Sequence, residues 1–427
     1  MQKSFRFVLL IICLLLTGLL PAQNIILRGQ ILDSATREPL SFATIGITGS
    51  TLGTASNVDG RFVLKIPVTY SDSLFFCSYV GYRTYEKQTG ELSDPMIILL
   101  HEEKIMLDEV EVKPWSAWDY VKLAVEKIPE NYHSEPFYTT SYYSEYISEN
   151  NKFLKYTEGI IQTYNPPYGD TSKIASRIIQ ARRHDNLESL RFMREKIEKK
   201  MKKKKKKAKK RGEEWEEKSI DEEILSATFG GPRMILRHDP VRDTSSFLNP
   251  KLHHLYDYQI EGYTTYHKQK LIIIHFKSKK KYEHQKQEGN IYITIDSDAI
   301  VAINFQSRII IPNAVKPLLF IAGFGITDPQ IHATIHYKPY KRKWYINDMT
   351  VDFRVKLTKK KMFAKNEHGS FKFFLSLITT DIEQENVTKI PKEEQLDNWK
   401  PLEEQVEENP EFWKHYQVAR PVELSGN

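Results

Sequence analysis

Hydrophobic and polar positions alternate along most of this chain with the two-residue period of β-strands. Between residues 25 and 100, short apolar runs are separated by turn-forming residues, with no helical period between them. This spacing predicts a small antiparallel β-sandwich. Asn57 and Asp59-Gly60 supply left-handed backbone angles and predict that the strands on either side of them form a hairpin. The predicted strands are Ile25–Leu32, Ala43–Thr48, Phe62–Ile66, Ser73–Tyr79, Tyr82–Thr89 and Met96–Leu100.

A helical pattern replaces the alternation after Pro114-Trp115. Ser116 is expected to cap a helix that runs to about Ile128, because Val121, Ala124 and Ile128 fall on one face at helical spacing. Aromatic and β-branched residues then return, and the chain's 23 Tyr and 21 Phe favour further strands. The predicted strands are 137–147 and 152–164, which form a hairpin, and 256–262, 270–277, 290–296, 300–310, 331–337, 351–357 and 371–379.

The strands of this second region have one dry face and one wet face. The apolar positions of 331–337 and 351–357 alternate with polar ones, which are His332, Thr334 and His336 on the first strand. We therefore expect a larger, curved antiparallel sheet and a chain that is mainly β.

Several motifs of the first region occur together and in a fixed order. They are Gly29-Gln30-Ile31-Leu32-Asp33, Glu38-Pro39-Leu40, Asp59-Gly60-Arg61-Phe62, Val80-Gly81-Tyr82 and Leu107-Asp108-Glu109-Val110-Glu111-Val112. The region resembles the carboxypeptidase-like regulatory domain of Bacteroidetes envelope proteins. The resemblance implies a transthyretin-like β-sandwich, a module found behind zinc carboxypeptidase domains and in front of TonB-dependent receptors. It brings no catalytic residues of its own. Residues 289–303 vaguely resemble the hairpins of periplasmic lipoprotein-carrier half-barrels.

The N-terminus has the pattern of a secretory signal. Lys3 and Arg6 precede an apolar run, and Ala22 offers a small residue for cleavage. We expect an exported protein, periplasmic or associated with the outer membrane, in which Cys77 is a buried small hydrophobe.

The expected organisation has five parts. They are a signal peptide at 1–22, the sandwich at 23–112, a linker helix at 113–135, the sheet domain at 136–382 and an acidic tail at 383–427. The sheet domain contains a lysine-rich insertion at 186–220, and the tail is expected to dock through Phe412 and Trp413.

The insertion concentrates positive charge in a chain of net charge +7. Such a block cannot bury apolar surface, so it is an exposed helix or a disordered segment. Export argues against nucleic acid, and leaves lipid headgroups, lipopolysaccharide phosphates or an acidic partner as candidate contacts. A solvated charge run without a specific function is the alternative. The candidate contacts are Lys202, Lys203, Lys204, Lys205, Lys206, Lys207, Lys209, Lys210 and Arg211.

The segment 315–326 is apolar and contains glycine. It is either a buried loop or a lid over the sheet, hinged at Gly323 and Gly325. Its candidate lid residues are Leu318, Leu319, Phe320 and Phe324.

The sequence has no recognisable catalytic motif. No His has the Glu companion of a carboxypeptidase zinc site, and neither a nucleophile elbow nor a phosphate loop is present. On one strand, His332 and His336 are about 13 Å apart, and are expected to be polar residues on a solvated face. Asp296 and Asp298 are expected to form a turn.

The sequence thus favours a protein without a cofactor that binds an apolar ligand or an envelope partner. An accessory protein of a TonB-dependent transporter and a hydrolase with an unrecognised site are the alternatives, and the oligomeric state is open.

Overall fold

The computed structural model describes residues 24–103, 114–168, 170, 174–186, 194–212, 231–236, 238–244, 246–280, 285–310, 324–359, 366–397 and 400–415. The protein is mainly β, as predicted. Strands β1–β7 form the first domain and strands β8–β17 form a single large sheet. In the described residues, no helix has the length and apolar character needed to span a bilayer.

The first domain is a sandwich of two small sheets. One has the order β4-β1-β7 and the other β3-β2-β5-β6. Their inner faces enclose an apolar core that includes Ile31, Ile45, Phe62 and Phe75. Cys77 is fully buried in this core, as predicted, and burial raises the pKa of its thiol. The strands are β1 Asn24–Asp33, β2 Thr44–Ile47, β3 Gly53–Ala55, β4 Arg61–Pro67, β5 Leu74–Ser78, β6 Tyr85–Gln88 and β7 Met96–Leu100.

Two expectations about this sandwich are wrong. β1 and β7 pair in parallel, so the domain is not purely antiparallel. β3 and β4 do not form a hairpin, because β3 pairs with β2 while β4 pairs with β1 in the other sheet. The turn between them carries the chain from one sheet to the other. The turn residues predict that the chain reverses direction between β3 and β4. They do not predict which strands β3 and β4 pair with, because that depends on which sheet edge is free for each of them.

The second domain is a ten-stranded sheet in the order β10-β9-β8-β17-β16-β15-β14-β13-β12-β11. Every neighbouring pair is antiparallel, and the last strand, β17, inserts between β8 and β16. The predicted hairpin is confirmed as the pair β8 and β9. The strands are β8 Phe137–Glu149, β9 Lys152–Asn165, β10 Ala175–Asp185, β11 Tyr256–Tyr266, β12 Gln269–Ser278, β13 Gln285–Thr294, β14 Ile300–Ile309, β15 Phe324–Tyr340, β16 Lys343–Lys359 and β17 Glu367–Glu383.

Helix α1 covers the dry face of the sheet. Ser116 caps it in a capping box with Asp119, and Val121 and Ala124 are fully buried against the sheet, as predicted. The segment around α4 packs in the same core. The helices are α1 Ala117–Glu126, α2 Ile128–Asn131, α3 Arg194–Arg211, α4 Gly231–Leu236 and α5 Pro410–His415; short 3-10 turns lie at Val68–Tyr70, Thr89–Glu91, His253–Leu255, Lys392–Glu394 and Leu402–Glu404.

The first domain covers part of the wet face, which corrects the expectation for His336. This side chain is only 9% exposed, and its Nδ1 lies 2.9 Å from Oδ1 of Asp348. Asn347 donates to Thr44 of β2, and Thr44 also bonds Tyr266 of β11. A polar face predicts contact with water, but it can equally be buried when a second domain supplies hydrogen-bond partners.

The described part of the lysine-rich insertion is helix α3. The side chains of Lys202, Lys203, Lys205, Lys206, Lys207, Lys209, Lys210 and Arg211 are exposed, and that of Lys204 is not described. The candidate lid residues Leu318, Leu319 and Phe320 lie outside the described residues. Phe324 begins β15, and its side chain is not described.

Candidate functional site

A cleft of about 330 Å³ lies between the first domain and the wet face of the large sheet. Phe42, Asn57, Val58 and Asp59 of the first domain form its roof. Side chains of β8, β9 and β17 form its floor. Its volume is at the lower end of the range of about 300–1,000 Å³ that is usual for small-molecule sites.

The roof is held by the turn that links the two sheets of the sandwich. Oδ1 of Asn57 accepts hydrogen bonds from the backbone N–H groups of Asp59 and Arg61, both at 2.9 Å. Gly60 has a φ of +71°, and a Cβ at this position would lie 2.5 Å from the carbonyl oxygen of Ile31. The turn therefore requires glycine. The resulting loop points Val58, which is 42% exposed, towards the cleft.

The floor consists of side chains paired across β17 and β8. Because side chains alternate between the faces of a strand, every second residue of each strand contributes to the floor. The pairs from one end to the other are Ile378 with Tyr142, Ser376 with Ser144, Phe374 with Tyr146, and Lys372 with Ser148. We call these pairs rungs. β9 extends the aromatic rung, because Tyr156 pairs with Tyr146.

Aromatic rings dominate the middle of the cleft. The ring of Phe42 in the roof lies 6.0 Å from that of Phe374 in the floor. Nζ of Lys372 lies 5.5 Å from the Phe374 ring and 3.8 Å from Oδ2 of Asp352. The cleft therefore combines apolar ring faces with a cation at one end.

A buried ionic network lies beside the floor on the same face of the sheet, because Glu158 of β9 pairs with Ser144 of β8 and with Arg182 of β10. Glu158 is fully buried and accepts hydrogen bonds from Nε of Arg182 and from the hydroxyl of Tyr142, both at 2.5 Å. The Tyr142 and Tyr156 hydroxyls are 2.6 Å apart, and burial raises the pKa of Tyr142 well above its ordinary value. Trp413 of α5 packs on Arg182, whose Cζ lies 4.0 Å from the centroid of the indole ring. The aromatic tail thus docks on the sheet, as predicted, and holds this network in place.

Three serines of the floor have hydroxyls without a protein partner. Ser144, Ser148 and Ser376 are 8%, 3% and 4% exposed. No hydrogen bond joins their hydroxyls to another residue in the described part of the chain. Since all three line the cleft, their hydroxyls are available to what occupies it.

The residues considered for metal or acid chemistry do not converge. His332 is exposed and lines an open polar groove of about 370 Å³, while His336 lies in the layer between the domains. Among the residues that the structure describes, no three His, Cys, Asp or Glu side chains are placed to hold a metal ion. Asp298 adopts a φ of 55° in the turn between β13 and β14, which confirms its predicted role.

Sequence reasoning did not find the cleft. The alternation of Tyr142, Ser144, Tyr146 and Ser148 is visible in the sequence as a wet face rich in tyrosine and serine. What it does not show is that the turn at residues 57–59 covers that face, because these residues are some 85 positions earlier in the chain.

Two solved structures have weak similarity to this chain. A LolA superfamily protein from Nitrosomonas europaea is 7% identical and overlaps 64% of this chain and 96% of its own, with a TM-score of 0.24. A DUF1329 family protein from Desulfovibrio piger is 10% identical over 64% of this chain and 93% of its own, also with a TM-score of 0.24. At these TM-scores the overlap supports no inference about a ligand. No match was found among curated proteins.

One part of the chain matches a described family. The model of the CarboxypepD_reg-like domain matches residues 27–112, which span the two small sheets and the motifs noted in the sequence. Residues 27–112 of this chain are therefore a CarboxypepD_reg-like domain.

Proposed function

We propose that this chain is a non-enzymatic, exported protein of the cell envelope that holds a small amphipathic ligand in the cleft between its two domains. The cleft supports this proposal, because its apolar rings, free serine hydroxyls and Lys372 offer apolar and polar contacts in one place. Binding sites for small molecules typically combine an apolar lining with a few placed polar groups. The signal-like N-terminus supports export.

Filling the cleft tests the proposal. We expect Ser376→Trp to weaken binding of the amphipathic dye 1-anilinonaphthalene-8-sulfonate at least about tenfold, because the indole fills the part of the cleft above the Ser376 rung. Titration of dye fluorescence measures the change.

The matched control is Ser370→Trp, since Ser370 lies on the same strand, is exposed and does not line the cleft. Equal dye affinity in the two variants, with melting temperatures that agree within a few degrees, would contradict a ligand site in the cleft.

A hydrolase is the second candidate, and it has only the resemblance of the first domain to support it. Stoichiometric zinc in the purified protein, measured by atomic emission, would favour the hydrolase and count against a purely binding role.

For helix α3 we propose contact with an anionic surface. Those of its lysines whose side chains are described from Lys202 onwards are exposed, and each Lys near an anionic bilayer contributes about 1 kcal/mol of attraction. Replacing Lys202 to Lys207 by Gln is expected to weaken binding to phosphatidylglycerol vesicles at least about tenfold without lowering the melting temperature. Sedimentation with vesicles and thermal unfolding measure the two effects.

Replacing the same six residues by Arg is the matched control, because it keeps the charge. A sharp drop in melting temperature in the Gln variant, or vesicle binding that the Gln change leaves intact, would show that this helix does not serve as the contact.

A further inference from the structure

The order of the rungs in the cleft indicates the class of ligand. Phe374, Tyr146 and Tyr156 form an aromatic rung in the middle of the floor. The rung on one side of it is Ser376 with Ser144. The rung on its other side is Lys372 with Ser148. Successive rungs of a strand pair are about 7 Å apart. A flat ring on the aromatic rung can therefore reach hydroxyl groups on both sides.

The serine hydroxyls select against a purely apolar occupant. Ser144, Ser148 and Ser376 are each more than nine-tenths buried and have no hydrogen-bond partner in the described chain. An apolar tail over them would leave three hydroxyls unsatisfied, which is unfavourable for each of them. Sites with buried hydrogen-bonding groups discriminate strongly against ligands that lack matching groups.

A serine hydroxyl both donates and accepts, so it is matched best by another group that does both. The complementary ligand has hydroxyls around its edge and an apolar C–H face that can pack on an aromatic ring. Phe42 in the roof packs directly on Phe374, with ring centroids 6.0 Å apart. This pair therefore bounds the cleft on one side, and Tyr146 and Tyr156 are the floor rings that a ligand can meet. Sugar rings have both of these features.

We propose that the ligand of this cleft is a short saccharide that lies on the aromatic rung and hydrogen-bonds the serine rungs. This inference rests on the proposed function, because it names the ligand class of the same cleft. The 330 Å³ of the cleft limits the bound part to a small sugar unit. The Lys372 ammonium lies at the end of the floor, where it is placed to meet an acidic sugar.

Saturation-transfer difference NMR and calorimetry on the purified protein test this proposal. The probes are glucose, N-acetylglucosamine, glucuronic acid and their disaccharides, with laurate as the lipid-like alternative. We expect saturable binding of at least one saccharide. Tyr146→Ala should raise its Kd at least about tenfold, and the double change Ser144→Ala with Ser376→Ala should raise it by about the same factor or more.

Two control variants separate binding from folding. Ser370→Ala removes an exposed hydroxyl of the same strand, and Tyr164→Ala removes a tyrosine of β9 that does not line the cleft. Both are expected to bind the saccharide like the unchanged protein.

The outcomes distinguish the two proposals. If laurate or the dye binds in the cleft while no saccharide binds, the saccharide assignment is wrong and the ligand site stands. If neither binds, both proposals fail. Saccharide binding that is unchanged in Tyr146→Ala and in the double serine variant would place the sugar elsewhere and also overturn the assignment.

Discussion

Replacing Glu158 by alanine is expected to lower the free energy of unfolding by about 3–5 kcal/mol. The carboxylate is fully buried and accepts from Arg182 and Tyr142, so its removal leaves a largely buried guanidinium and a hydroxyl without their acceptor. Breaking one partner of a buried ion pair has an effect of this size, because the remaining charge stays desolvated. Equilibrium unfolding in urea measures the change.

A second variant distinguishes an ion pair from a simple packing defect. If the pair is responsible, adding Arg182→Met to Glu158→Ala should destabilise the protein by less than the sum of the two single changes, because the unpaired cation is then absent. The control is Glu261→Ala, which removes an exposed carboxylate and should change stability by less than about 0.5 kcal/mol. Additive effects, or a loss below about 1 kcal/mol for Glu158→Ala, would show that the network contributes little.

The second large effect concerns Lys338, which is buried between the two domains. Its ammonium donates to the carbonyl oxygens of Thr51 in the first domain and Thr379 in the sheet, at 3.3 and 3.1 Å. Burial lowers the pKa of Lys338 from 10.5 to about 8, although the charges of Asp381 and Asp348 oppose this change. His267 also faces this site, and its own pKa is lowered to about 3, mainly by burial.

The lowered pKa makes stability increase with pH in a defined range. Below pH 8 the Lys338 amine is charged in both states, so the folded protein carries the full penalty of its burial. Between about pH 8 and 10.5 only the unfolded chain holds this proton, and folding becomes more favourable as pH rises. We therefore compare the free energy of unfolding of the unchanged protein with that of Lys338→Met. The difference between the two is expected to rise by about 3 kcal/mol across this range.

Taking the difference between the two proteins removes the titration of all other groups that the change does not affect. Unfolding in urea at several pH values between 7 and 11 measures it, and Lys65→Met, which removes an exposed amine, should give a flat difference. A flat difference for Lys338→Met as well would mean that the amine is not desolvated between the domains.

Local patterns predicted the elements well where their signals are strong. The helix cap at Ser116 and the buried face of Val121 and Ala124 follow from residue type and spacing, whereas the second half of the capping box, from Asp119, was not predicted. The burial of Cys77 was expected, because it lies within a continuous apolar run. These features depend on a few neighbouring residues, whose side-chain directions follow from helix or strand geometry.

Features that depend on distant contacts were missed. The alternation of His336 with apolar residues predicts exposure to water, yet this side chain is buried and its Nδ1 lies 2.9 Å from Oδ1 of Asp348. Glu158 and Arg182 are on neighbouring strands, and their pairing follows from the register of β9 with β10. A strand pattern tells which side chains share a face but not what covers that face.

By itself the sequence determined that this protein is built from strands, that its first region is a CarboxypepD_reg-like sandwich, and that the large sheet has one apolar and one polar face. Only the tertiary structure decided that the sandwich lies on the polar face, so that the turn at Asn57 covers the rungs of β8 and β17 and creates the cleft. The reason is physical: the two-residue period of a strand is a local property, whereas the burial of polar side chains depends on hydrogen-bond partners that the fold brings from far away in the chain.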